Sequence, residues 1–117
     1  MSTYEADCIF CKIAAGELGT SFAAESDLAV AFDDLAPQAP VHVLVVPKRH
    51  IASIAGLSVD DGDLLADMVS LANRVARDRG IVESGYRLLS NVGPDAGQTV
   101  YHLHFHLLGG KTLGPLA

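Results

Sequence analysis

Residues 101–108 read Tyr101-His102-Leu103-His104-Phe105-His106-Leu107-Leu108, in which histidines alternate with apolar residues. Successive side chains of a β-strand point to opposite faces, so the alternation predicts a strand over Val100–Leu108. One face then carries three imidazoles about 7 Å apart from one to the next, those of His102, His104 and His106. The other face carries an apolar row that can bury against a helix, formed by Tyr101, Leu103, Phe105 and Leu107. Packing does not explain three histidines in register, so they indicate a functional site.

The histidine row has two chemical interpretations, which the pattern alone leaves open. Imidazole is a common metal ligand, and it is also a nucleophile and an acid–base group near neutral pH. The preceding turn favours the second interpretation, because Gly93 and Gly97 allow backbone N–H groups to approach an anion closely. Short polar side chains lie in the same region, at Asn91, Gln98 and Thr99. We therefore predict an oxyanion site that faces a histidine nucleophile.

The remaining segments predict two helices and four further strands. In chain order these are a short helix over Phe10–Ala15, a hairpin of Ser21–Glu25 and Leu28–Asp33, a central strand over Val41–Val46, a long amphipathic helix from a Ser58 cap to Gly80, and a strand over Tyr86–Asn91. Short connections between the strands favour antiparallel pairing. The order indicates an α+β fold with both helices on one face of the sheet.

Length and charge limit the classes of function. The chain has 117 residues, half of them apolar, which predicts one domain spanning residues 1–117. Fourteen acidic residues against eight basic ones give a net charge of −6. This charge argues against a nucleic-acid polymer as partner, although a local pocket can still bind one small phosphate. No apolar run is long enough to span a bilayer, and residues 1–7 do not have the pattern of a signal peptide. We expect a cytoplasmic protein with no membrane partner.

The histidine stretch resembles the motif of the histidine triad family, in which three histidines alternate with apolar residues and two apolar residues follow. His102–Leu108 fits this motif without departure. The resemblance extends along the chain to the Hint-type branch of the family, in order and spacing. The matching segments are Ile9-Phe10-Cys11-Lys12-Ile13, Phe32-Asp33-Asp34, Pro37-Gln38-Ala39-Pro40-Val41-His42, Pro47-Lys48-Arg49-His50-Ile51 and Gly97-Gln98-Thr99-Val100-Tyr101.

The resemblance implies a fold and an activity. The fold is HIT-like, with an antiparallel sheet of about five strands, one long and one short helix, and a homodimer that joins the two sheets. The activity is hydrolysis of purine nucleoside 5′-phosphoramidates or aminoacyl-adenylates, which makes a purine nucleotide the partner. His104 would attack the α-phosphorus through Nε2 and form a covalent nucleotidyl-histidine. Its Nδ1 must then hold the proton, so we expect a backbone carbonyl to accept from it.

The resemblance also implies roles for further residues. His106 and His42 would bind or polarise the phosphoryl oxygens. Hydrogen bonds nearby would come from Asn91, Gln98 and Thr99. Asp34 would accept from the ribose hydroxyls, although it can instead cap a turn. The walls of the base pocket would be Phe10, Ile13, Leu18, Phe32 and Leu35, some of which can be ordinary core.

The two cysteines, Cys8 and Cys11, have the spacing of a structural zinc site, or they are two reduced thiols. Members of the bacterial type complete such a site with one distant histidine and the first triad histidine. The resemblance therefore implies zinc bound by Cys8, Cys11, His50 and His102, with a structural role. No cofactor is then required for the chemistry itself.

Rival functions remain open at this point. A dinucleoside polyphosphate hydrolase or a nucleotidyl transferase would use the same intermediate. A nucleotide-binding adaptor would hydrolyse only incidentally, and a metalloenzyme would use all three histidines as ligands. The segment after the last strand, residues 111–117, lacks the tryptophan of the eukaryotic members, which leaves the leaving-group preference undetermined.

Overall fold

The computed structural model describes residues 4–116 and shows a five-stranded antiparallel sheet with a helix on each face. The elements in chain order are α1 (Ile9–Ala14), β1 (Ala24–Glu25), β2 (Ala29–Asp33), β3 (Val41–Pro47), α2 (Gly62–Asp78), β4 (Tyr86–Leu89) and β5 (Phe105–Gly109). Short 3₁₀ turns lie at Ile54–Gly56, Val59–Asp61 and Pro94–Ala96. The predicted α+β fold with one long and one short helix is confirmed. The signal-peptide and C-terminal interpretations fall partly outside the described residues.

The sheet is built around β3, as its β-branched sequence predicts. The strand order is β1-β2-β3-β5-β4, and every neighbouring pair is antiparallel. All seven residues of β3 are buried. The register places His42 opposite Leu108 and Leu44 opposite His106. The central strand therefore brings His42 beside the last histidine of the motif.

The long helix α2 ends where the sequence predicts, but it begins at Gly62, after a 3₁₀ turn that follows the predicted Ser58 cap. Ser58 and Asp61 form a reciprocal capping box at the 3₁₀ turn that leads into it. Gly80 follows the last turn with a φ of 70°, a conformation that glycine adopts without strain. The buried stripe of the helix packs in one cluster with Leu103 and Leu107. This contact confirms that the apolar row of the histidine stretch faces a helix.

The expectation that both helices share one face is wrong. Ala29, Ala31, Val43 and Val45 belong to the cluster under α2. Val30, Phe32, Leu44 and Val46 pack instead with Phe10 and Ile13 of α1 on the other face. The strands β2 and β3 are apolar at nearly every position, so each face of the sheet needs a covering layer.

The histidine strand is shorter than predicted. Pairing begins at Phe105, so His102 and His104 precede β5 rather than lie within it. The backbone of this segment makes a hydrogen bond outside the sheet, in which the Leu103 N–H donates to the Ile51 carbonyl at 2.6 Å. Tyr101 is 50% exposed and does not join the apolar row.

The other strand bounds also differ in length. The first strand of the hairpin is only Ala24–Glu25, and β4 ends at Leu89 rather than Asn91. Across the described residues, no helix is long and apolar enough to span a membrane.

Candidate active site

A pocket of about 320 Å³ lies between α1, the end of β2 and the histidine segment. This volume is within the range of small-molecule sites, about 300 to 1,000 Å³. Its lining is mostly apolar with a few polar groups: Ile9, Phe10, Ile13, Thr20, Phe32, Asp33, Asp34, Leu35, Leu44, Thr99, Val100, His104 and His106. The pocket thus joins a hydrophobic wall to two of the three motif histidines.

Most of the residues predicted for a base pocket lie in this lining. The exception is Leu18, which follows α1 in a loop and is 51% exposed. Five lining residues were missed by the sequence analysis: Ile9, Thr20, Asp33, Leu44 and Val100. The alternation of β3 offered a signal for Leu44, because it shares a strand face with His42 and Val46.

His104 is held in the tautomer that a nucleophile requires. Its Nδ1 lies 2.8 Å from the carbonyl oxygen of His102 and donates its proton there. The lone pair is therefore on Nε2. The ring is 8% exposed and meets the edge of Phe10, with ring centroids 5.1 Å apart. The hydrogen bond predicted from the sequence is present in the structure.

His106 is held in the opposite tautomer through His42. The backbone N–H of Gln38 donates to His42 Nδ1 at 3.0 Å, so the proton of His42 lies on Nε2. That Nε2–H donates to His106 Nδ1 at 2.9 Å. His106 must then carry its own proton on Nε2, as a hydrogen-bond donor. His104 therefore has a lone pair on its Nε2, whereas the neighbouring His106 has a hydrogen-bond donor, N–H, at its Nε2.

Burial keeps His106 uncharged. Desolvation lowers its pKa to about 4, and the nearby rings of His104 and His42 act in the same direction. The ring centroids of His104 and His106 lie 5.0 Å apart. At neutral pH the donor is therefore a neutral imidazole N–H.

His42, which the resemblance assigns to the phosphoryl oxygens, contacts His106. It is 5% exposed and is not among the pocket-lining residues. Its ring contacts His106, with centroids 5.2 Å apart. Its position therefore suits setting the tautomer of His106 more than direct contact with a phosphoryl group.

Asp34 caps a turn, as one of its two interpretations predicts, and its side chain also borders the pocket. Its Oδ1 accepts from the Ala36 N–H at 2.8 Å, which caps the turn after β2. Its Oδ2 lies 3.4 Å from His42 Nε2, and the residue lines the pocket. The neighbouring Asp33 is tied to Arg79 by two hydrogen bonds of 2.9 Å, which lower the pKa of its carboxyl group.

In the glycine-containing turn that was predicted to bind an oxyanion, the Gln98 side chain is already hydrogen-bonded to backbone groups. The Gln98 side chain is buried, and its Nε2 donates to the carbonyls of Ala52 and Val100. Its Oε1 accepts from the Gly93 N–H at 2.9 Å, so this amide clamps the turn. Thr99 lines the pocket, whereas Asn91 is half-buried outside the lining.

A second group of donor atoms, which we call the cysteine cluster, lies on the other side of Phe10. It consists of Cys8, Cys11, His50 and His102, whose ligand atoms all lie within 4.8 Å of one another. His102 Nδ1 is 3.3 Å from Cys8 Sγ and 3.4 Å from Cys11 Sγ. His50 Nδ1 is 3.3 Å from Cys11 Sγ.

The cysteine cluster fits a zinc ion. Neighbouring ligands of tetrahedral zinc are about 3.5 Å apart, given bonds of about 2.0 to 2.3 Å. His102 donates Nε2–H to the Pro47 carbonyl at 2.8 Å, which leaves Nδ1 free to face the sulfurs. Burial lowers the pKa of His102 to about 4, which keeps its imidazole neutral, as a metal ligand must be. All four side chains predicted from the sequence are therefore brought together.

A third group, the aspartate cluster, is formed by Asp34, His42 and His106, again with ligand atoms within 4.8 Å of one another. A metal on His42 Nε2 would require the ring proton to sit on Nδ1. That proton would face the Gln38 N–H, which donates to the same nitrogen. The backbone therefore disfavours a metal at this cluster and favours a hydrogen-bonded chain.

The geometry can now be compared with known proteins. The family model of the HIT domain matches residues 15–113. The chain belongs to the histidine triad family. The purine nucleoside phosphoramidase of Escherichia coli is 41% identical over 110 residues, which cover 94% of this chain and 92% of that protein.

Solved structures of the family have the same fold. The HIT family hydrolase from Clostridium thermocellum is 48% identical with a TM-score of 0.90, covering 95% of this chain and 96% of that one. A histidine triad protein from Clostridium difficile is 42% identical with a TM-score of 0.91, covering 97% and 98%. In this member of the family the triad is divided, because His102 joins the cysteine cluster while His104 and His106 line the pocket.

Proposed function

We propose that this chain hydrolyses purine nucleoside 5′-phosphoramidates, or the related aminoacyl-adenylates, through a covalent nucleotidyl-His104. The observation that carries the proposal is the bond from His104 Nδ1–H to the His102 carbonyl at 2.8 Å. It leaves the Nε2 lone pair beside a pocket of about 320 Å³. The likeness to a phosphoramidase, 41% identical over nearly the whole chain, supports this choice of substrate.

The pocket supports a defined orientation of the nucleotide. The purine would pack against the apolar wall, where Phe10 and Phe32 meet edge to face at 5.7 Å. The carboxylate of Asp34 would accept from the ribose hydroxyls. The α-phosphate would then lie near His104 and His106, with the Thr99 hydroxyl close by.

The chemistry follows from the two tautomers. His104 Nε2 attacks the α-phosphorus while the P–N bond of the substrate breaks, and the departing nitrogen takes up a proton from solvent to leave as the neutral amine. Water then attacks the same phosphorus, releases a proton to solvent and displaces the His104 imidazole, which yields the nucleoside monophosphate. His106 Nε2–H would donate to a phosphoryl oxygen in both steps and stabilise the charge that develops there.

The cysteine cluster would hold a structural zinc ion through Cys8, Cys11, His50 and His102. Zinc supplies folding stability when bound. His102 orients the nucleophile through its carbonyl, so fixing its side chain also fixes the hydrogen bond to His104. We further propose one HIT domain over residues 1–117, a homodimer and a cytoplasmic location.

Trapping of the intermediate tests the proposal. The wild-type enzyme is mixed with an adenosine or guanosine phosphoramidate and quenched within milliseconds in alkaline denaturant, since P–N bonds are labile to acid. Mass spectrometry of peptides should place the nucleotidyl group on His104. The matched control is His104→Asn, which has no nucleophilic ring nitrogen at this position and should carry no label.

Other outcomes would overturn the proposal. A label on His106 would identify His106, and not His104, as the nucleophile. Turnover with no covalent species on any histidine would indicate direct attack by water. Diadenosine polyphosphates are assayed beside the phosphoramidates under the same conditions. A clear preference for the polyphosphates would replace the proposed substrate class with the dinucleotide.

A further inference from the structure

Ser90 makes a contact with the backbone of the proposed nucleophile. Its Oγ–H donates to the His104 carbonyl at 2.6 Å. Ser90 directly follows β4, and His104 directly precedes β5. Neither residue belongs to a strand, so this bond joins the segments that adjoin β4 and β5 where their regular backbone pairing stops.

The ladder ends at this point on both sides of β5. Pairing with β4 stops at Leu89 opposite His106, and pairing with β3 stops at Val45 opposite Phe105. The next peptide, that of His104, must be held by other means because a loose backbone would let the imidazole shift. Ser90 supplies a side-chain bond in place of the missing backbone pair.

The other hydrogen bonds that hold this segment involve residues that precede His104 in the sequence. The Leu103 N–H donates to the Ile51 carbonyl at 2.6 Å. His102 donates to the Pro47 carbonyl at 2.8 Å, and its own carbonyl accepts from His104 Nδ1 at 2.8 Å. Ser90 holds the opposite end of the His104 peptide.

We propose that Ser90 is a positioning residue that fixes the backbone of His104, and thus the direction of Nε2, for attack on phosphorus. The inference rests on the proposed function of His104. Ser90 is half-buried and is not among the residues that line the pocket. It acts through His104 without touching the substrate.

The loss of this bond should affect the rate of attack more than binding. Removal of one neutral hydrogen bond corresponds to about 1 kcal/mol, or about fivefold. A displacement of about 1 Å at a reacting atom can lower a rate by about 100-fold. We therefore expect Ser90→Ala to slow formation of the nucleotidyl-enzyme by about tenfold, with the KM for the phosphoramidate changed less than twofold.

The experiment measures single-turnover labelling of His104 in four proteins: wild type, Ser90→Ala, Ser90→Thr and Ser26→Ala. Ser90→Thr keeps the hydroxyl donor and should recover most of the rate. Ser26→Ala is the control, because the Ser26 hydroxyl donates to the Asp67 carboxylate and accepts from the Ala29 N–H in the β1–β2 turn, and Ser26 is not among the pocket-lining residues. This control should lower the melting temperature and leave the labelling rate unchanged.

A second readout does not depend on activity. The imidazole ¹⁵N and ¹H signals of His104 should broaden or shift in Ser90→Ala, whereas the signals of His50 stay in place. Wild-type labelling rates in Ser90→Ala, or an equal loss in Ser90→Thr, would overturn the positioning role. Failure of the wild type to label His104 would instead overturn the proposed function, so the two failures are distinguishable.

Discussion

The cysteine cluster and the aspartate cluster both gather potential metal ligands within 4.8 Å, and both include histidines that are largely removed from water. In the cysteine cluster, a backbone carbonyl accepts from His102 Nε2 and leaves Nδ1 facing two sulfurs. In the aspartate cluster, the Gln38 backbone N–H donates to His42 and places its proton toward His106. The backbone partner thus determines whether an imidazole faces a metal ligand set or passes a hydrogen bond onward.

Ligand atoms lie within 4.8 Å of one another in both clusters, so proximity does not distinguish them. They differ in the backbone partner, which directs a ring lone pair toward the other donor atoms for His102 but toward the Gln38 N–H for His42. His104 follows the same rule, because the His102 carbonyl decides that Nε2 is free. Variants that change one cluster at a time therefore separate a metal site from a hydrogen-bonded chain.

Replacement of the nucleophile should have the largest effect. His104→Asn retains a polar side chain but has no nucleophilic nitrogen, so kcat for a phosphoramidate should fall by at least about 1,000-fold. Steady-state kinetics measures the loss, and thermal unfolding controls for damage to the fold. A variant within tenfold of wild type would show that the covalent route is not used.

Loss of the cysteine cluster should affect stability. If zinc is bound there, a strong chelator should lower the free energy of unfolding by several kcal/mol, about 3 or more. Cys11→Ser should remove most of that sensitivity, and zinc analysis should fall from about one ion per chain toward none.

The aspartate cluster provides the contrasting variant. Asp34→Asn should leave the zinc content unchanged, because the backbone disfavours a metal at that cluster. Loss of one zinc ion in Asp34→Asn, with none lost in Cys11→Ser, would reverse the assignment of the two clusters.

Replacement of His42 should show whether the hydrogen bonds from the Gln38 N–H to His42 and from His42 to His106 set the tautomer of His106. His42→Phe fills the space without accepting from Gln38 or donating to His106, so we expect kcat to fall about 50-fold, or about 2.3 kcal/mol. In His42→Gln, the amide oxygen can accept and the amide nitrogen can donate, so activity should stay within about fivefold of wild type. Equal losses in the two variants would mean that the ring itself is needed, and not these hydrogen bonds.

The smallest effect should appear in the pH dependence of stability. The pKa of His106 is lowered from 6.5 to about 4 in the folded protein, mainly by desolvation. Between these values the unfolded chain binds more protons, so this group makes stability fall as the pH falls from 6.5 to 4. Since His106 is only partly buried, its contribution should be on the order of 1 to 2 kcal/mol.

Urea unfolding at pH 7 and pH 4.5 measures this contribution. His106→Asn does not titrate, so its stability should fall less between the two pH values than that of the wild type. His104, His42 and Asp34 face the same ring and remain in both proteins. An identical pH dependence in the two proteins would place the buried neutral form of His106 in doubt.

Much of the fold follows from local patterns in the sequence. The β-branched run at Val41 and the capping box at Ser58 and Asp61 set elements that the structure reproduces. The side of the sheet on which α1 packs was mispredicted, although a signal was available. Both alternating sets of side chains in β2 are apolar, which calls for a layer on each face.

The candidate site was predictable only in part. The resemblance supplied His104, the carbonyl partner of its Nδ1 and the four members of the cysteine cluster. The contacts of Ser90 with the His104 carbonyl and of the Gln38 N–H with His42 depend on where the chain leaves the regular strand pairing, and the residue pattern does not predict those positions. Gln98 was expected to donate to a ligand, but tertiary packing directs its amide to three backbone groups.

Long-range ¹H–¹⁵N NMR of the imidazole rings at neutral pH shows whether backbone contacts fix the tautomers of His42 and His104 and, through His42, that of His106. We expect a proton on Nδ1 of His104 and on Nε2 of both His42 and His106. A His104 ring protonated on Nε2, or a His106 ring protonated on Nδ1, would contradict this expectation.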